Sequence, residues 1–183
     1  MGVINVLEEV QKFFDENICS GLTFKKPPSV EGKDTRDYEY QLVEPKTFIM
    51  YPPLEEKFPS VTIQVEDGET ERNTNSGELK LRFLFATWNN GKHFNDVGNV
   101  PNFEANSDGW RDAWNFLDRA VDVLSHTTYL GNGVRLKHED KLQFGGLKED
   151  KVLANYYPYW FAYLTCTVAY GQISSNEDVN DLI

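Results

Sequence analysis

The sequence predicts an α+β fold: an antiparallel β-sheet with two main α-helices packed on one face. Three observations lead there. Segments 61–66 and 79–86 alternate apolar and polar side chains with period two, as half-buried antiparallel strands do. Segments 3–17 and 110–124 carry apolar residues at helical spacing. A last run, 158–170, is apolar on both faces, as a strand covered on both sides would be. Strands grouped before and after one long helix are the pattern of α+β rather than of alternating βαβ units.

The first helix rests on Ile4, Leu7, Val10 and Phe14, with Glu8, Lys12, Asp15 and Glu16 between them. It is expected to end near Gly21. Segment 23–59 holds six of the eight prolines and reads as an irregular excursion, with edge-strand pieces at 38–43 and 47–51. The two alternating strands come next. Between them, 66–77 reads as an acidic hairpin tip carrying Glu66, Asp67, Glu69 and Glu71. Segment 89–107 is a Gly/Asn-rich loop with Phe94 and Phe103. The second helix has its stripe at Trp110, Ala113, Trp114, Leu117, Val121 and Leu124, with Ser107 or Asp108 as N-cap. Short strands are expected at 134–138 and 142–144. The final strand would be about 40 Å long at about 3.3 Å per residue, close to the diameter of the whole domain. A single domain over 1–171 with a flexible acidic tail at 172–183 accounts for the whole chain.

Composition narrows the function classes. Twelve Phe, nine Tyr and four Trp in 183 residues are too many for a disordered acidic chain. The net charge of -11 argues against a dedicated DNA or RNA binder, which needs clustered Lys and Arg on phosphates. No apolar run approaches the roughly 20 residues that span a bilayer. The acidic first 18 residues do not fit a signal peptide, so the expectation is a cytoplasmic protein. Cys19 and Cys166 have no metal or redox spacing and read as free buried thiols, although a bridge between them stays open at this point.

Chemistry is hard to find. His93, His126 and His138 show no metal-ligand spacing, and no phosphate-binding or nucleophile motif occurs. The His138-Glu139-Asp140 triplet and the Asp118/Asp122 pair read as solvated side chains. No catalytic, cofactor or metal residue is assigned, and no cofactor is expected. The aromatic residues say more. Trp110 and Trp114 read as core, whereas Trp88, Phe94 and Phe103 in loops or at strand ends read as loop anchors or as an interface. Together with Glu66, Asp67, Glu69 and Glu71 they form the candidate interface set.

The order of elements and some local sequence resemble a family. After the amphipathic helix come Tyr51-Pro52-Pro53 and Phe58-Pro59-Ser60-Val61. The hairpin strands follow, then a helix with Trp110-Arg111-Asp112-Ala113-Trp114, then Tyr159-Trp160-Phe161-Ala162-Tyr163. The pattern spans most of 1–170 and resembles the tail terminator (tail-completion, head–tail joining) proteins of tailed bacteriophages and prophages. The chain is longer than many of them over 21–59. The resemblance implies a non-enzymatic virion protein, a homo-oligomeric ring, typically hexameric, that caps the tail tube and meets other phage tail and connector proteins. It implies assembly in a bacterial cytoplasm, without specific nucleic-acid or membrane binding. In such a ring the acidic hairpin would face a lumen through which DNA passes without sticking. A different phage connector or tail-tube protein is the near alternative. A small enzyme or ligand-binding domain with a pocket under 89–107 is the distant one.

Overall fold

The computed structural model describes residues 2–27, 41–71, 73, 76–93, 103–105, 108–149, 152–153 and 157–171. The first helix, α1 (Val3–Phe14), runs into a π-helical turn (Asp15–Cys19). Strands β1 (Phe24–Lys26) and β2 (Gln41–Val43) form a small ribbon. Then come β3 (Lys46–Ile49), one 3-10 turn (Leu54–Glu56), β4 (Ser60–Glu71) and β5 (Ser76–Trp88). A second ribbon, β6 (Lys92–His93) with β7 (Phe103–Glu104), precedes α2 (Trp110–Ser125). The chain continues through β8 (Tyr129–Gly131), β9 (Val134–Leu136), β10 (Gln143–Gly146), β11 (Lys148–Glu149), β12 (Val152–Leu153) and β13 (Tyr159–Tyr170).

The expected fold class is corrected. The molecule is mostly β: a mixed sheet curled into a half-barrel dominates it in place of the expected antiparallel sheet, and the two helices are the minor part, lying inside the curve. Among the described residues the sheet has seven strands in the order β3-β4-β5-β13-β9-β8, with β10 also on β13. Two physical reasons account for the difference. First, β3 pairs with β4 in parallel, Lys46 beside Ser60 through Ile49 beside Ile63. The connection carries Pro52, Pro53 and Pro59, which lack donors and cannot form the returning strand of a hairpin. Second, the acidic stretch expected at a hairpin tip is strand. Glu66 forms an ion pair with Lys80 at 3.1 Å and another with Arg82, and Asp67 sits opposite Lys80. These cross-strand charges carry the ladder out to Glu71 opposite Ser76. Strands of 12 and 13 residues twist strongly, and the register shift between Val65 and Asp67 bends β4 further.

The concave face is the core. It presents Val61 and Ile63 from β4, Leu79, Leu81, Phe83 and Phe85 from β5, and Ala162, Leu164, Cys166 and Val168 from β13, all buried. Onto it α1 lays Val6, Leu7, Val10 and Phe14, and α2 lays Ala113, Phe116, Leu117, Ala120 and Leu124. Phe14 stacks on Phe83, and Phe116 sits between Phe24 and Phe85 at 5.1 and 5.0 Å. The start of α2 differs from expectation. Gly109 occupies the N-cap with no side-chain cap bond. A Cβ there would lie 2.3 Å from Trp160 Nε1, so close packing of the helix start on β13 excludes Asp or Ser. Trp110, expected in the core, is 42% exposed, with Arg111 5.3 Å over its ring.

A curled sheet leaves two edges to protect. On β3, the Gln11 amide donates to Thr47 O at 2.7 Å, and Thr47 N–H donates to Asp15 Oδ1 at 2.9 Å. On the β8 side, Asn132 N–H donates to Glu9 Oε2 at 3.3 Å, and Gly131 gives Glu9 room that a Cβ would fill. One helix thus seals both ends of the half-barrel. Cys19 and Cys166 are free thiols, so no bridge joins them.

Candidate assembly interface

The convex face of the sheet is built by the residues that alternate with the core. Directly opposed residues share a face. One row across β3, β4, β5 and β13 is therefore Phe48, Thr62, Leu84 and Tyr163; the next is Lys46, Ser60, Ala86 and Phe161. Phe48, Leu84, Phe161 and Tyr163 are only half-buried. At one end of the rows Phe58 lies 4.9 Å from the Tyr159 ring and 5.9 Å from Phe161, and Tyr159 is 37% exposed. At the other end the face turns charged. Arg82 stands over Tyr163 at 5.4 Å and holds Glu66, whose side chain is only 19% exposed. Beyond it Asp67, Glu69 and Glu71 are exposed on the same stretch of β4. Glu69 is directly opposite Glu78, and Lys137 relieves that like-charge pair by binding Glu78 at 2.7 Å.

The other sequence candidates are placed differently. Trp88 is 1% exposed and belongs to the interior at the end of β5. Phe103 stands in β7 opposite His93. Phe94 lies outside the described residues, as does most of the 89–107 loop.

Sequence reasoning missed a polar clasp at the end of β5. Asn89 Nδ2 donates to Asp112 Oδ2 at 2.6 Å, and Asn89 Oδ1 accepts from Lys25 Nζ at 3.2 Å and from Gly91 N–H at 3.0 Å. Its carbonyl accepts from Trp160 Nε1 at 3.1 Å, and its N–H reaches Pro158 O at 2.9 Å. One asparagine thus ties β1, β5, α2 and β13 together. Burial raises the Asp112 carboxyl above its ordinary value and lowers the Lys25 ammonium below its own, while each charge partly offsets the burial of the other. An Asn after a strand is common in sequence, and nothing nearby marks this one.

Two of the open clefts are lined by described residues. One of about 160 Å³ lies between Lys26, Glu44, Lys46, Glu56 and Phe58, and one of about 320 Å³ lies by Lys80, Lys141 and Thr165. Among the described residues no three His, Cys, Asp or Glu side chains are grouped to hold a metal ion, and no helix is long and apolar enough to cross a membrane. The chemistry on offer is contact: an apolar, aromatic-ended sheet face continuing into an acidic strand. No protein-family model matches the chain, and no curated protein matches its sequence.

Proposed function

We propose that the chain is a structural subunit of a phage virion, a tail terminator-type protein that forms a ring at the end of the tail tube and joins it to the head. The observation that carries the reading is the convex face of β3, β4, β5 and β13. Its rows hold Phe48, Leu84, Phe161 and Tyr163 half-buried, with Phe58 and Tyr159 at one end. Aromatic and aliphatic residues concentrated on one sheet face, rimmed by charge, are the composition of an interface core. The acidic stretch from Glu66 to Glu71 supplies a second property the reading calls for, a negative surface that DNA passes without adhering. In this role the protein works in the cytoplasm of a bacterial host during assembly and remains in the particle. Deleting its gene from the phage or prophage that carries it is expected to leave heads and tails unjoined. A normal yield of joined particles from the deletion contradicts the proposal.

A further inference from the structure

The sequence holds two Asn-Gly pairs, Asn90-Gly91 and Asn132-Gly133. Such a pair is chemically labile, because the following backbone nitrogen can attack the side-chain amide and glycine has no Cβ to hinder the approach. The fold treats the two pairs in opposite ways. Asn90 is 0% exposed, and Gly91 is buried with it. The Gly91 N–H is held by Asn89 Oδ1 at 3.0 Å, its carbonyl accepts from Lys25 Nζ, and the Asn90 carbonyl accepts from the Tyr157 hydroxyl at 2.6 Å. The nitrogen that would attack is thus engaged, and water has no access. Asn132 and Gly133 are instead the central residues of the turn between β8 and β9, where Gly131 stands opposite Val134. Asn132 is exposed, and Gly133 has φ 69°. In a turn of this kind the closing bond belongs to the N–H of the fourth residue, so that of the third is left out of it. The Asn132 side chain lies against a carboxylate: Nδ2 is 3.5 Å from Glu9 Oε1, and the Asn132 N–H donates to Glu9 Oε2 at 3.3 Å.

We propose that Asn132 is a modification site of the folded protein, deamidating in place, and that the product releases α1 from the β8 side of the half-barrel. The Gly133 nitrogen bonds to Asn132 Cγ, and the side-chain amide leaves as ammonia with the proton that this nitrogen gives up. The cyclic imide that forms takes up one water. Opening at Cγ gives aspartate, and opening at the backbone carbonyl gives isoaspartate. The net change is amide plus water to carboxylate plus ammonium, with no oxidant, reductant or cofactor. The consequence follows from what faces the turn. Glu9 packs so closely here that a Cβ on Gly131 would lie 2.4 Å from its Oε2. Aspartate in place of Asn132 sets a second carboxylate where an amide had donated, and like charges at this range repel. Isoaspartate adds a methylene to the main chain of the turn and displaces the N–H that Glu9 accepts from. Either product weakens the contact by which α1 closes this end of the sheet. The inference is independent of the ring reading.

The test is peptide mapping by mass spectrometry of the full chain, incubated at pH 8 either native or in guanidinium chloride. In the native protein Asn90 must wait for a local opening, so Asn132 is expected to be lost more than about tenfold faster than Asn90. In denaturant the two rates are expected to converge, because only local sequence then acts. A smaller ratio in the native protein, or a ratio that persists in denaturant, overturns the proposal. The release of α1 is read separately. Asn132→Asp is expected to lower the thermal midpoint and to speed amide hydrogen exchange in β8. Glu9→Gln in the same chain is expected to restore both, since its amide is uncharged and donates to the new carboxylate. An Asn132→Asp protein with wild-type exchange in β8, or one that Glu9→Gln does not rescue, overturns the release.

Discussion

The ring of Phe14 lies flat on that of Phe83, with centroids 4.3 Å apart and planes 10° from parallel. Phe14 ends α1 and Phe83 is in the middle of β5, so this stack fixes where the helix sits in the half-barrel. From there Gln11 and Asp15 reach β3 while Glu9 reaches the β8 side. The stack is the anchor on which the sealing of both edges depends. Phe14→Ala removes a fully buried ring and is expected to cost about 3–5 kcal/mol. At about 2–4 °C per kcal/mol, thermal unfolding should fall by roughly 10 °C. Ile4→Ala on the same helix, where the side chain is 69% exposed, should change stability by less than about 0.5 kcal/mol. Equal losses from the two variants would contradict the anchor.

The seal itself is testable. Thr47 is buried, and its backbone groups are satisfied by Gln11 and Asp15. Gln11→Ala strands the carbonyl and Asp15→Ala strands the N–H, each at about 1–2 kcal/mol. Hydrogen exchange at the Thr47 amide should accelerate in Asp15→Ala. The double variant should also self-associate more readily, because it bares a sheet edge. Unchanged exchange at Thr47 would contradict the assignment.

The clasp has a pH signature. Burial raises the Asp112 carboxyl above its ordinary 3.8, so the folded protein binds that proton more tightly than the unfolded chain. Stability contributed by this group is therefore lost as pH rises from about 3.8 through the folded value, and the cost is constant above it. Asp112→Asn still accepts from Asn89 and removes the titration. The stability of the variant relative to wild type should climb across that window and then level off, measured by urea unfolding at a series of pH values. Lys25 has the opposite behaviour near the top of the pH scale: its lowered value means stability rises as pH climbs toward 10.5. A variant-to-wild-type difference that is flat in pH would contradict the buried carboxylate.

Burial pushes both thiols up to about 12. At pH 8 that leaves a thiolate fraction of about one in ten thousand. Cys19 also makes a 3.4 Å contact with Thr47 Oγ1. Neither thiol should react with a disulfide reagent in the native protein at pH 8, and both should react on addition of denaturant. Rapid modification of the native protein would contradict the packing.

Elements that rest on local periodicity were readable in the sequence. The alternation of Val61, Ile63 and Val65, and of Leu79 through Phe85, gave the two central strands, and 158–170 gave β13. What local periodicity cannot give is pairing across distance. The parallel placement of β3 depends on how 50–59 crosses the sheet, and the strand character of Glu66–Glu71 depends on cations at Lys80 and Arg82 some 15 residues on. Helical spacing alone predicts an α2 stripe that includes Trp110 and omits Phe116. The helix is instead rotated so that Phe116 meets Phe24 and Phe85, and Trp110, in the first turn, stands 42% exposed. Of the candidate site, the acidic stretch was legible because charge is local. The convex aromatic face was not, because its apolar members come from β3, β5 and β13 and from Phe58 in a connection.

The central claim is that this chain is a ring subunit, and the mass of the wild-type particle tests it most directly. Light scattering over a range of concentrations up to the millimolar is expected to show one closed oligomer of fixed subunit number that does not grow further. A strict monomer across that range, or open-ended growth without a fixed mass, would contradict it.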